Sequence, residues 1–408
     1  MKTSTHHVRS MTIATLIAGI SGFVVIIVAA RAFGDDTSSA TEFAAYWGFF
    51  FAITGILTGL LQETTRAVSA GQQAEQADVL AASPLKVGLG IAAATVLLVG
   101  LSAPLWISRL VSTHPVLGAA LLAIGLGSYA IQATVGGIIS GLQLWNRYAT
   151  LIIIDTASRM IVAIIAWLLG AHLVAFMVIT VLGALSWIVI VALHKDVRAC
   201  GTARADVDVR QFLAKSGYAM AASGATAIVI TGFPTIVQFA HPDAALGAAI
   251  VYAVILTRAP LLLPLQQFQS SLIVRFVAHS HQIVRAVIQP LALVWVIGLC
   301  GAGAAWLCGP WILGFVLPAG FIAPGSVLGV LTVGAACTAS LMITGTAAVA
   351  VDQHRLYLYG WMVATCVAIG IMFLPLSLSM ASCLALIIGP LTGLLVHVGG
   401  FISTRRTR

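Results

Sequence analysis

Apolar residues in this chain come in long unbroken runs separated by short polar stretches. Twelve such runs lie at about 11–32, 43–62, 87–110, 115–141, 148–170, 172–194, 212–238, 244–274, 286–308, 322–350, 356–376 and 378–400. Each is near the roughly 20 residues that an α-helix needs to cross a hydrocarbon core about 30 Å thick. The pattern predicts an all-α membrane protein of about twelve transmembrane helices, and an even number puts both termini on one side. The longest hydrophilic stretch, about 195–215, separates runs six and seven. It divides the chain into an N-terminal six-helix bundle over 1–197, a cytoplasmic linker over 198–211 and a C-terminal six-helix bundle over 212–408. Lys2 and Arg9 precede the first run, and Ala30-Arg31-Ala32 has the form of a leader cleavage site. The run is longer than the about 7–15 residues of a leader's apolar region, so it is read as an uncleaved first helix.

Composition agrees, with 8% charged and 60% hydrophobic residues and a mean hydropathy of +1.06, against about 25% charged residues in ordinary soluble domains. A net charge of +8 would suggest a nucleic-acid partner in a soluble protein. Mapping the charge onto the loops changes that reading. The termini and the loops after even-numbered runs hold Lys2, Arg9, Arg66, Lys86, Arg147, Lys195, Arg198, Arg204, Arg210, Lys215, Arg275, Arg285, Arg355, Arg405, Arg406 and Arg408, 16 of the 20 cationic residues. The opposite loops hold Arg31 and Arg109 with Asp35, Asp36, Glu42 and Asp243. The positive-inside rule therefore places both ends in the cytoplasm of a bacterial-type cell, with the chain in its cytoplasmic membrane and no nucleic acid as partner.

Two cations remain, Arg159 and Arg258, and both fall inside apolar runs. Arg258 sits mid-run in YAVILTRAPLLLPLQQFQSSLIVRF (252–276), where an arginine costs at least about 2.5–3.5 kcal/mol on insertion scales. At 100° per residue, Arg258, Gln266 and Gln269 share an arc of about 80°, a polar stripe suited to lining a water-filled path. Pro260 and Pro264 remove two backbone donors and predict a bend. Two readings of Arg258 stay open: contact with a ligand, or a structural clamp on freed carbonyls or a neighbouring helix. In run five, Asp155 and Arg159 are spaced i, i+4 and meet on one face. They are read as a self-neutralised pair, as an anion site through Arg159, or as an ion-coupling site through Asp155.

Run two spaces Thr54, Thr58, Gln62 and Arg66 four apart, with Gly55, Gly59 and Glu63 beside them. The threonines are candidates for substrate contact, and Gln62, Glu63 and Arg66 form either an interfacial cluster or a cytoplasmic mouth. Thr12, Thr15, Gly19 and Gly22 in run one, and Gly137 and Gly141 in a GxxxG of run four, point to close helix packing. Trp306, Trp311, Phe315 and Phe321 read as an interfacial aromatic belt. The exit of run four, ISGLQLWNRYATL (139–151), weakly matches that of run ten, ITGTAAVAVDQHRLYLYG (343–360); both set small residues, then a Gln, a basic residue and a Tyr before the next helix. Such internal repeats are common in transporters. The six cysteines are scattered and the ten histidines form no ligand pattern; His279 and His281 sit with Arg275 and Arg285 in a cytoplasmic loop. No nucleophile elbow, phosphate loop or dinucleotide fingerprint has a suitable context. The expectation is a chain that is not an enzyme and uses no cofactor or metal.

At this point the sequence resembles the multidrug, oligosaccharidyl-lipid and polysaccharide (MOP) exporter superfamily, and in particular its lipid-linked oligosaccharide flippase branch. The likeness rests on the first hairpin (22–60) with Arg31 and Gly34 in its turn, on GLQLWNRYATL (141–151), and on LGAAIVYAVILTRAPLLLPLQQFQSSLIVRF (246–276). The resemblance implies two six-helix bundles around a central cavity that opens alternately to either side. It implies a polyprenyl-phosphate- or pyrophosphate-linked glycan as substrate for cell-envelope polysaccharide synthesis, with membrane lipids and envelope-synthesis enzymes as partners and a monomer as the unit. Arg159 and Arg258 are the candidates for the phosphate, since guanidinium suits a phosphate fork. A drug or cation antiporter of the same superfamily is the main rival, and it would need cavity carboxylates; Asp155 is the one deeply placed acid. A membrane glycosyltransferase would add a catalytic extramembrane loop, which the sequence does not offer. A non-transporting scaffold for envelope synthesis also stays open.

Overall fold

The computed structural model describes residues 2–33, 36–72, 81–230, 233–240, 247–315 and 322–406. Gly34, Asp35, Asp243, Phe321 and Arg408 lie outside the described residues, as do the side chains of Lys2, Arg9, Arg109, Arg405 and Arg406. The helices are α1 (Lys2–Phe33), α2 (Thr37–Gly71), α3 (Pro84–Ser102), α4 (Ile107–Leu110), α5 (Pro115–Gly141), α6 (Trp145–Leu168), α7 (Leu173–Leu182), α8 (Ser186–Leu193), α9 (Lys195–Ala199), α10 (Val209–Ile230), α11 (Phe233–Ala240), α12 (Gly247–Ala278), α13 (Ile283–Gly314), α14 (Gly325–Ala350), α15 (His354–Met372) and α16 (Leu378–Arg406). Eleven spans among the described residues are long and apolar enough to cross a membrane. The expected seventh run is α10 followed by α11. Arg210, Gln211 and Lys215 near the start of α10, and small polar residues through its middle, leave it less apolar than the eleven. The sixth run is broken: α7 and α8 are joined by a 3-10 turn at Gly183–Leu185.

The chain divides into two compact units, Met1–Met220 and Ala221–Arg408, with the boundary inside α10. In the first unit α5 is central and packs against α2 and α3, while α1 packs against α6. The GxxxG of α5 works by closeness, as expected. A Cβ on Gly137 would lie 2.6 Å from Thr64 Cβ and 2.8 Å from the Leu61 carbonyl, and one on Gly141 would lie 2.8 Å from Val68 Cβ. In α1 the expectation fails, because a Cβ on Gly19 or Gly22 would meet nothing within 4 Å. An aromatic cluster of Phe33, Phe43, Tyr46, Phe50 and Phe176 fills the other end of the unit. In the second unit α14 is central and buried throughout 334–350, with α12, α13 and α16 packed on it and α15 paired with α16.

The weak repeat in the sequence is a repeat of backbone geometry at an offset of 209 residues. Gln143 (φ 60°) and Asp352 (φ 65°) are the non-glycine residues with positive φ among the described residues. Each ends a central helix in the same hydrogen-bond pattern: Gln143 N–H donates to the Ser140 carbonyl and Leu144 N–H to that of Ile139, as Asp352 does to Val349 and Gln353 to Ala348. This is the left-handed helix stop in which a polar residue stands in for glycine. Five residues later the matched tyrosines, Tyr148 and Tyr357, are both buried, against Gly136 and Gly345 respectively.

The stretch read as a cytoplasmic linker is docked on the first unit. Ala82 N–H donates to the Val207 carbonyl (2.8 Å) and Ala205 N–H to that of Ala82 (2.9 Å). Ala205 is buried with Leu57, Leu60, Val87 and Phe212. At the opposite end, Glu42 accepts from the Ser112 and Thr113 hydroxyls. Burial works to raise its carboxyl, but these hydrogen bonds outweigh it and hold the group below the usual carboxylate range. Trp306, Trp311 and Phe315 are exposed, as an interfacial belt requires.

Candidate functional site

In the first unit the i, i+4 spacing on α6 brings Asp155 and Arg159 together, with Oδ1 2.8 Å from Nη2. Gln132 of α5 donates from Nε2 to Asp155 Oδ2 at 2.9 Å. The guanidinium lies over the rings of Phe51 (5.2 Å) and Phe50 (6.0 Å) of α2, where ring quadrupoles favour a cation. The pair is pressed against the break between α7 and α8. A Cβ on Gly183 would sit 2.0 Å from Asp155 Oδ1 and 2.3 Å from Arg159 Nε, so any larger residue there would have to displace the pair. The broken helix thus makes room for the ion pair, and Ser128 and Ser186 bond the turn's Ala184 and Gly183 carbonyls. Arg159 Nε and Gln132 Oε1 are buried and have no hydrogen-bond partner. Replacing Gly183 with alanine should cost about 1–3 kcal/mol through overpacking, read as a lower unfolding temperature. An unchanged unfolding temperature would mean that the pair is free to shift.

Thr54 and Thr58 lie nearby on α2, but each hydroxyl donates to its own helix, to the Phe51 and Thr54 carbonyls. Gln62, Glu63 and Arg66 are all buried. Arg66 is held on two sides: Nε and Nη2 donate to Glu63 (2.9 and 2.7 Å), and Nη1 and Nη2 donate to Asp206 (2.7 and 2.8 Å). Two forks thereby take up four of the guanidinium's N–H donors. Through Asp206 the cluster fastens the docked segment 203–208 to α2. Asp206→Asn should destabilise the first unit by about 1.5–2 kcal/mol, the lower part of the range for a hydrogen bond to a charged group. Chemical denaturation checks this, and no change would mean that Glu63 alone holds Arg66.

In the second unit Arg258 is 4% exposed on α12. Nη1 donates to the Val229 carbonyl (3.0 Å) at the end of α10, and the guanidinium lies over the Phe233 ring (5.4 Å). The last carbonyls of a helix carry partial negative charge and lack intrahelical donors, so a cation is favoured there. Nε and Nη2 have no hydrogen-bond partner, and no carboxylate pairs with Arg258 among the described residues. Arg258 thus holds a carbonyl of a neighbouring helix through one nitrogen, and neither reading of it is decided by that contact. α12 runs unbroken through Pro260 and Pro264. Further along it, Gln269 donates to Thr346 of α14 (3.2 Å), and Gln266 is exposed. The stripe drawn from the sequence is thus one buried cation, one bonded amide and one exposed amide.

The sequence reading did not single out Gln132, Gly183, Asp206 or His397. His397 of α16 is fully buried, with Nδ1 2.9 Å from Thr344 Oγ1 and its ring against Gly360. A polar residue inside an apolar run was the available signal for Gln132 and His397; the other two carry none. No group of three or more metal-ligating side chains is found among the described residues.

These two helical units make the fold of the MOP superfamily transporters. A MOP superfamily transporter from Pyrococcus furiosus aligns with a TM-score of 0.76 at 14% identity, over 97% of this chain and 94% of that one. A MATE protein in its bent conformation gives 0.77 at 16% identity over 98% and 96%. The Vibrio cholerae MATE transporter VcmN gives 0.74 at 14% over 99% of both. No protein-family model matches the chain. Among curated proteins, the uncharacterised protein Rv3630 of Mycobacterium tuberculosis is 35% identical over 393 residues, 96% of this chain and 91% of that one. Rv1510 of the same organism is 34% identical over 386 residues, 94% and 89% respectively. The chain belongs to the family of mycobacterial proteins that includes Rv3630 and Rv1510, and it is a multi-pass protein of a bacterial plasma membrane.

Proposed function

We propose that this chain is a transporter that moves a polyprenyl-phosphate- or pyrophosphate-linked saccharide from the inner to the outer leaflet by alternating access, for cell-envelope polysaccharide synthesis. The observation that carries the reading is Arg258, a buried cation with no carboxylate partner and two unused nitrogens. Burying an unpaired charge is costly, and an anion that arrives with its own charge removes that cost. The spans of the second unit contain no Asp or Glu, so a cation entering there would meet no carboxylate on them. A prenyl tail stays in lipid while the phosphate passes. The transporter works as a monomer beside the enzymes that make and use its substrate.

The second reading is export of drugs or other cations. It is favoured by the solved proteins of this fold, which are described as MATE and multidrug resistance transporters. Against it, the acids buried on the first unit's spans are already engaged, Asp155 by Arg159 and Gln132 and Glu63 by Arg66. The Pyrococcus furiosus protein is described as having a binding pocket of reverse polarity that suggests a different function, which supports a change of substrate charge within the fold. Purified protein in liposomes separates the two readings. Flipping of a prenyl-pyrophosphate disaccharide without efflux of ethidium is the expected outcome; ethidium efflux without flipping would establish the rival.

A further inference from the structure

We propose that Arg159 is an anion site unmasked by a proton: an anion binds there when Asp155 is protonated, so each binding event takes up about one proton. The inference rests on the anionic-substrate reading and adds the sign of its coupling. With Asp155 ionised, the pair is neutral and an added anion would leave one net negative charge inside the membrane. With Asp155 protonated, Arg159 and the anion neutralise each other. Linkage then makes proton and anion bind together rather than in exchange.

Gln132 makes both protonation states satisfiable. Its Nε2 donates to the ionised carboxylate, and its Oε1 is buried with no partner. Turning the amide about its last torsion breaks only the bond to Asp155. It places Oε1 where a protonated carboxyl can donate to it, because an amide offers a donor at one end and an acceptor at the other. The proton comes from solution onto an Asp155 oxygen. The guanidinium stays stacked on Phe51 and Phe50, and its Nε has no other partner to lose. Gly183 packs closely against the remaining side of the pair.

The other groups around the pair do not compete for the proton. α5 contributes Tyr129, α6 contributes Tyr148 and α2 contributes Tyr46, all phenols and uncharged at neutral pH. α7, the turn and α8 carry no ionisable side chain, and α1 between Ser10 and Phe33 carries only Arg31, which is exposed. Asp155 and Arg159 are therefore the charges that respond.

The test is calorimetric titration of the full-length protein in lipid nanodiscs with farnesyl sulfate, a prenyl anion whose charge is fixed across the pH range. Comparing two buffers of different ionisation heat at pH 7.5 gives the protons taken up. About one proton per anion is expected, with affinity rising close to tenfold for each unit of pH decrease. In Asp155→Asn the proton count should fall to zero and the pH dependence should vanish; if that variant does not fold, the wild-type proton count decides alone. Binding without proton uptake overturns the inference. If that proton-free binding is also lost in Arg258→Ala, the anionic reading survives without it; if wild type binds nothing at any pH, both fall.

Discussion

Replacing Arg258 with alanine is expected to reduce flipping of the lipid-linked saccharide by at least about 100-fold, equivalent to roughly 2.7 kcal/mol, with the protein still inserted. The expectation follows from what the guanidinium does in the structure. One nitrogen holds the Val229 carbonyl, and two have no hydrogen-bond partner. Removing a cation from a span should not impair insertion, because the cation itself is the unfavourable element. The Val229 contact complicates the alanine variant, since it frees a helix-end carbonyl. Arg258→Gln keeps a donor for that carbonyl and loses the charge, so it should fold like wild type and still fail to flip. Arg258→Lys should be partly active, because an ammonium supplies charge without a two-nitrogen fork. Wild-type flux in Arg258→Gln would reduce Arg258 to a clamp on α10.

The second large effect is at Asp155. Asp155→Asn should lower stability by about 3 kcal/mol, the lower end of what is lost when one partner of a buried pair is removed. The asparagine keeps the shape and leaves Arg159, 6% exposed, without its counter-charge. The double variant Asp155→Asn, Arg159→Gln should recover most of that loss, because the uncompensated charge goes with it. Farnesyl sulfate should also restore the unfolding temperature of the single variant, since the anion takes the place of the lost carboxylate. Thermal unfolding in nanodiscs reads all three. Equal stabilities for the single and double variants would show that the pair contributes no net electrostatic restraint.

Much of this architecture was legible because it depends on local periodicity. Run length announced the helices, and the i, i+4 rule paired Asp155 with Arg159 before any fold was known. Run length also made Arg258 conspicuous, as a cation where none is tolerated cheaply. The break in the sixth run was not legible, since α7 and α8 are mostly apolar and the ion pair packed at the break lies on another helix. The role of Asp206 was not legible because its partner, Arg66, lies 140 residues away. The repeat was faint for a similar reason: Gln143 and Asp352 share a left-handed conformation but not a residue type. Even Thr54 and Thr58, well placed on one face, turned their hydroxyls back to their own helix, a choice that spacing alone does not decide.

The most direct test of the central claim is leaflet-resolved lipid analysis after depletion of this protein in its own host. A polyprenyl-phosphate or pyrophosphate saccharide should accumulate on the cytoplasmic side, and wild type but not Arg258→Gln should relieve it. Unchanged prenyl-linked lipids in the depleted cells would contradict the claim and return the protein to the cation-export reading.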